Sequence, residues 1–397
     1  MIELLAPAGD LEKLKTALDY GADAVFVGGQ DFSLRARASN FTISDIKEAT
    51  DYAHNLGKKV YVTTNIIPHE EDLANLIPYL KSLEEAKVDA IITASPYIIN
   101  SAINNTNLEV HLSTQQTTTN LEAISYWQEK GVKRIVLARE LSIDEISNIT
   151  ANTTADIEVF IHGGMCMSFS GRCSLSNTMT NRDANRGGCA HSCRWNYVLQ
   201  EDNKIISDSK FSMSSKDLEA TAFITKMIDA NVKSLKIEGR MKSLHYIATV
   251  VGTYRKLIDE YVATKKVEDL NYYQDEIKKA ENRLTSHGFL KGEPTINEQL
   301  FNQRSETPTK LFVGLVKEFD ETTNIAVIEQ RNYFEINDNL EVYMPSGKIK
   351  PFKLTSLKDE EDNEIAVARH PKQILKIKIP FKVEKGSMIR KLWLRFI

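Results

Sequence analysis

The chain has 397 residues, of which 42% are hydrophobic and 26% charged, and its 50 Lys and Arg against 54 Asp and Glu leave a formal net charge of −4. That balance describes an ordinary globular protein with room for one large domain and a smaller one, and it gives no chain-wide sign of a nucleic-acid binder. No apolar run approaches the roughly 20 residues that span a bilayer, which excludes a membrane-spanning helix.

The opening MIELLAPAGD carries neither a charged leader nor an apolar h-region, so a cytoplasmic, reducing setting is expected. From there to about residue 260 a short β-branched run, a turn and an amphipathic helical stretch recur. The expected strands are Ile2–Pro7, Ala24–Gly29, Lys59–Asn65, Ala90–Ser95, Glu109–Gln115, Arg134–Glu140, Ile157–Gly163 and Ser234–Arg240. Helical patterns fill the gaps, such as Asp10–Gly21, ended by its glycine. Eight strands alternating with helices predict an α/β fold, a parallel (β/α)8 TIM-like barrel over residues 1–260, with an open doubly wound sheet as the alternative.

Most strands follow one another at βα-unit spacing, but a long excursion, 163–233, separates the seventh from the eighth. It holds every cysteine in the chain, Cys166, Cys173, Cys189 and Cys193, in the pattern C-x6-C-x15-C-x3-C. Clustered cysteines in a reducing setting point to metal rather than disulfides. Structural zinc favours paired C-x2-4-C knuckles, and only Cys189/Cys193 qualifies. A 4Fe-4S cluster tolerates wider loop spacings and ranks first, zinc second, four unrelated buried cysteines third. Between positions 166 and 200, Arg172, Arg182, Arg186 and Arg194 face only Asp183, which suits an anionic cluster or substrate as well as it suits solvated loop arginines.

A loop leaving the C-terminal end of a barrel strand lies on the face where such barrels build active sites. The same face should collect Asn65, Ser95, Ser113, Gln115, Arg139, Glu140, His162, Glu238 and Arg240. The pairs Arg139/Glu140 and Glu238/Arg240 read either as site charges or as ion pairs closing the barrel. His162 reads as a substrate contact or as a cap on the loop.

Residues 261–309 lose the strand pattern and read as a helical connector. From 310 to 397 six short β runs with turn residues between them predict a small antiparallel β-barrel. From Pro371 to Ile397 there are eight Lys or Arg and one acid, Glu384, with Phe381, Trp393 and Phe396 among them. A basic strip with aromatics suits an RNA backbone; a solvated strand face is the other reading.

The run E-x-F-x-x-G-G-M-C-x6-C-x-L-S, Glu158 to Ser176, closely resembles the signature of the U-32 peptidase family, the collagenase-like proteins. The resemblance continues in RGGCAHSCRWNY (Arg186–Tyr197), KIEGRMKSLHY (Lys236–Tyr246) and the opening Leu4–Gly29, and so covers most of the chain. Gly164 departs from it, standing where the family commonly has Ala or Ser. The resemblance implies a C-terminal barrel of the kind seen in translation factors. It also implies kinship with oxygen-independent hydroxylases carrying a 4Fe-4S cluster, which make 5-hydroxyuridine at the tRNA wobble position or act on ribosomal RNA or ubiquinone precursors.

Chain length and the appended basic domain favour the tRNA group, for which prephenate is the implied oxygen donor. Such a dicarboxylate would find bidentate partners in Arg139, Arg172, Arg186 or Arg240. The expected site is therefore His162, Arg139, Glu140 and Glu238 for catalysis, with Asn65, Gln115, Arg172, Arg186 and Arg240 for substrate. Tested against chemistry, a peptidase fares less well: no H-E-x-x-H occurs, and the cysteine motif spends all four thiols together. A non-catalytic RNA-binding protein with a structural metal is the third reading.

Overall fold

The computed structural model describes residues 2–33, 40–206, 210–280, 283–300 and 312–392. Short runs of buried β-formers make the first sheet: β1 Glu3–Pro7, β2 Ala24–Gly28, β3 Lys59–Thr63, β4 Ala90–Thr93, β5 Glu109–Leu112, β6 Arg134–Val136, β7 Asp156–Gly163 and β8 Ser234–Ile237. They pair in parallel in that order, and β8 hydrogen-bonds both β1 and β7. That double pairing closes the barrel and removes the open-sheet alternative.

Alternate residues of each strand face opposite ways. Those facing outward join the helices in one large apolar cluster, while Leu5, Ala24, Phe26, Tyr61, Ala90 and Ile92 form a separate small one. Beside the small cluster lies a buried ionic knot. Glu158, fully buried, accepts from Lys236 Nζ at 2.7 Å and Arg134 Nη1 at 3.2 Å, and Arg134 also reaches Glu3 at 2.6 Å. Burial pushes the Glu158 carboxyl up, but Lys236 and Arg134 outweigh it and hold it low. The glutamate that opens the loop signature is thus a structural ion.

The helices start and stop where their sequences direct. In α1, Leu11–Asp19, Asp10 accepts from Lys13 N, and Gly21 follows at φ +102°. Helix Leu244–Thr264 runs through position 260, because buried Leu257 and Ile258 continue its apolar face there. The segment after it folds back on the barrel: strand Thr285–Ser286 pairs with Asp217–Leu218, and Ile143 N donates to Leu290 O at 3.1 Å. No helix of the described residues is long and apolar enough to cross a membrane.

The C-terminal unit is a seven-stranded antiparallel sheet, in the order Ile349–Lys353, Asn339–Tyr343, Met388–Lys391, Phe312–Asp320, Ile325–Gln330, Ile374–Lys378, Leu357–Lys358. It curls around its own core as a half-barrel, and among the described residues no hydrogen-bonded pairing joins its two edges. Phe312, Leu315, Tyr343 and Met388 leave that core and pack into the barrel's outer cluster. At the same interface buried Arg390 Nη2 meets Glu276 at 3.1 Å and Glu341 at 2.8 Å.

Candidate functional site: a cysteine loop over the barrel mouth

The loop that follows β7 is bent at its root by Gly163, at φ +108°, where a Cβ would fall 2.5 Å from Glu238 O. Gly164 is different: a Cβ there would meet Arg194 Nη2 at 3.4 Å, an ordinary contact, so an alanine has room. The loop then lies across the β5 end of the barrel. Thr117, left-handed at φ 56°, donates from its hydroxyl to Ser170 O at 3.2 Å, and Gly171 at φ +80° sits so close to Gln115 that a Cβ would touch its carbonyl.

The four cysteines are free thiols, Cys166 and Cys189 exposed, Cys173 and Cys193 half-buried. Burial pushes the Cys193 thiol up; Arg194 opposes this, and Cys166, Cys189 and Cys173 each add to it, so all three stand within electrostatic reach of Cys193. Buried Ser176, on the short helix Leu175–Thr180, donates to Cys189 Sγ at 4.0 Å and accepts from Ala190 N at 3.1 Å. The last residue of the signature therefore orients the third cysteine. Among the described residues no three His, Cys, Asp or Glu groups stand close enough to hold a single metal ion.

The charged residues expected at the mouth differ in what holds them. Arg139 donates from Nη1 to Gly164 O at 2.6 Å and lies over the Phe160 ring, 4.1 Å from guanidinium carbon to centroid. Beside it Glu140 is half-buried, and that burial raises its carboxyl. Arg186 is bound to Asp72 at 2.6 Å and to Ile67 O at 2.6 Å, which ties the loop to helix Glu70–Glu85. Both arms of its fork are engaged here, so the expected substrate contact would compete with this anchor. Arg172 is exposed, 3.5 Å from Thr117 Oγ1. Arg240 is buried, donating to Ser33 Oγ at 3.2 Å and Thr63 Oγ1 at 3.5 Å, and only a glycine at position 28 leaves it space.

His162, expected among the catalytic groups, is 2% exposed at the root of the loop. Its Nδ1 lies 3.3 Å from the Tyr254 hydroxyl, its ring packs on Tyr246, and burial lowers its pKa to about 3. A neutral ring sealed in this way supports the loop and moves no proton near neutrality. Glu238 donates its backbone N–H to His162 O at 2.8 Å, and its carbonyl accepts from Tyr246. Ser95 and Ser113 cap the turns that follow their strands. The side-chain oxygens Asn65 Oδ1 and Gln115 Oε1 are buried without a hydrogen-bond partner.

Sequence reasoning passed over a cleft of about 290 Å3 next to Cys166, walled by Phe211, Met213 and Phe289. Its lining comes from three segments far apart in the chain, and only the scatter of Phe and Met among serines in FSMSS, Phe211 to Ser215, signals it.

Comparison with known proteins decides the family. The model of peptidase family U32 matches residues 9–300, and that of the family's C-terminal domain matches 308–390. This chain belongs to peptidase family U32. Among the U32 relatives, tRNA hydroxylation protein P1 of Bacillus subtilis is 47% identical over 98% of this chain and 94% of its own. The 23S rRNA 5-hydroxycytidine C2501 synthase of Escherichia coli is 37% identical over 73% of this chain but 43% of its own length. A collagenase of Porphyromonas gingivalis is 31% identical over 90% of each chain.

The basic strip of this U32 chain is broken up in the fold. Arg390 is spent in the domain interface, while Lys376, Lys382 and Lys391 pair with Asp362, Glu321 and Asp338. Lys372, Lys378 and Lys385 are left exposed; Trp393, Arg395 and Phe396 lie outside the described residues. The cause is tertiary pairing, since Asp362, Glu321 and Asp338 are brought to these lysines by the fold.

Proposed function

We propose that this chain is an iron–sulfur RNA-modifying enzyme that hydroxylates C5 of the wobble uridine of tRNA without molecular oxygen, with prephenate as the oxygen donor. The observation that carries the reading is the 47% identity, across nearly the whole of both chains, with a protein named for tRNA hydroxylation. The rRNA 5-hydroxycytidine synthase supports the reaction class, since it too is named for a hydroxyl on a pyrimidine.

Cys166, Cys173, Cys189 and Cys193 would hold a 4Fe-4S cluster. One zinc ion gathers its sulfurs to about 3.8 Å of one another, given a Zn–S bond of about 2.3 Å. A 4Fe-4S cuboid instead carries its four thiolates on separate irons, and the spacing C-x6-C-x15-C-x3-C, with a single short knuckle, favours it. A bound cluster would supply electron transfer or structure, the four cysteines providing one thiolate for each iron.

The chain's own groups divide the remaining work. Exposed Arg172 and buried Arg240 are the candidate cations for a dicarboxylate. Asn65 Oδ1 and Gln115 Oε1 are orphaned acceptors that a ligand hydroxyl or N–H would satisfy. Glu140, with its raised pKa, is the acid–base candidate. For the RNA, exposed Phe169 and Trp195 beside the cysteines offer stacking faces.

The family's name and the Porphyromonas collagenase favour a peptidase as the second reading. One experiment separates them. The chain is expressed in a bacterial strain deleted for its own tRNA 5-hydroxylation proteins, and the tRNA nucleosides are measured by mass spectrometry. Restored 5-hydroxyuridine, lost again in Cys189→Ala, is expected; wobble uridine left unmodified by an iron-loaded protein overturns the proposal.

A further inference from the structure

We infer that the cleft beside Cys166 is the seat of the target base, taking a pyrimidine ring flipped out of its strand; this rests on the RNA-hydroxylation reading and adds where the base sits. The walls are flat or soft: Phe211, Met213 and Phe289 line the cleft, with Met165 and Met167 on either side of the cysteine in the chain. Such walls take the two faces of a neutral aromatic ring. The edge of a uracil offers carbonyl oxygens and one N–H, and the cleft lining supplies groups for both. Ser215 Oγ is buried without a hydrogen-bond partner, and the Gln299 amide can donate or accept.

The cleft is built before any ligand arrives. Ser215 bridges Gln299 in antiparallel fashion, and Lys216 N donates to Glu298 O at 2.8 Å, which fixes the polar side. The aromatic side is tied to the cysteines, because Phe211 pairs with Tyr197 and the Tyr197 hydroxyl donates to Ser192 O at 2.7 Å, next to Cys193. A ring held here lies against the loop that carries all four thiols.

The carboxylate donor is a poor occupant for the same space. Among the described residues that line it, Lys216 is the one cation and Glu298 is also present, so a dianion would find its charge poorly compensated. The arginines suited to it, Arg172 and Arg240, make their contacts with Thr117 on one side and with Ser33 and Thr63 on the other. Neither arginine is among the residues that line the cleft.

The test is a photocrosslink. A short tRNA stem-loop with 4-thiouridine at the wobble position is irradiated with the iron-loaded full chain, and hydroxylation of the unsubstituted stem-loop is followed in parallel. Crosslinked peptides containing residues 165–167, 211–216 or 286–289 are expected. If the wild type hydroxylates the RNA yet crosslinks only outside those segments, the cleft assignment falls and the function stands. If the iron-loaded chain leaves the RNA unmodified, the function beneath the assignment falls with it. Phe289→Ala and Phe211→Ala add a second readout: KM for the stem-loop is expected to rise about tenfold, with iron content and KM for the donor unchanged. An unchanged KM in both variants overturns the assignment.

Discussion

Arg139 lies flat on Phe160 while its Nη1 holds the carbonyl of Gly164, so one side chain joins the inner face of β7 to the first turn of the cysteine loop. Sequence placed Arg139 among the catalytic groups; its contacts suit a positioning role. Arg139→Ala is expected to lower iron per chain after anaerobic reconstitution, and Arg139→Lys to recover only part of it, because an ammonium cannot stack as a planar fork does. Full iron with lost activity in Arg139→Ala would return the residue to the chemistry.

Arg186 and Asp72 pin the middle of the loop to the barrel at 2.6 Å, and the arginine holds the carboxyl below its usual range. Removing either partner should do the same thing. Arg186→Ala and Asp72→Ala are both expected to loosen the loop, seen as matching losses of iron and matching gains in protease sensitivity within 166–195. If only Arg186→Ala impairs turnover, and does so by raising KM for the donor, the guanidinium contacts substrate after all.

The domain interface is held by charge as well as apolar packing. Buried Arg390 compensates Glu276 and Glu341 together, so Arg390→Ala leaves two carboxylates with Lys279 as their remaining partner. A loss of about 3–5 kcal/mol in unfolding free energy is expected by chemical denaturation. A change under 1 kcal/mol would mean that water reaches these groups.

His245 stacks on Phe312 at this same interface, 5.2 Å between centroids, and faces Arg390 and Lys279. Burial lowers its pKa to about 3, and His162 is lowered to the same value in the barrel. Below about pH 6.5 the unfolded chain binds protons that the folded one refuses, so stability is complete above that pH and falls as the solution is acidified. Each histidine contributes a slope of about 1.4 kcal/mol per pH unit between about pH 6 and 4. His245→Phe is expected to flatten the pH dependence of the urea midpoint over that range; an unaltered slope would show the histidine already solvated.

The barrel was legible because each strand is a short β-branched run, and burial on both faces leaves little else for such a run to become. The antiparallel sheet was legible from its turns, but its basic strip was not, since pairing with Asp362, Glu321 and Asp338 depends on strands far apart in the sequence. Likewise His162 looks available beside Cys166 in the sequence, yet Tyr246 and Tyr254 on a helix some ninety residues later seal it. The cleft walls fail for the same reason. Spacing reveals ligands that share a loop, and not partners brought together by the fold.

The most direct test is the iron and acid-labile sulfide content of the anaerobically purified wild type beside Cys166→Ala, Cys173→Ala, Cys189→Ala and Cys193→Ala. About four irons and four sulfides per wild-type chain are expected, with loss or conversion of the cluster in every variant. One zinc per chain, or thiols recovered as two cystines, would contradict it.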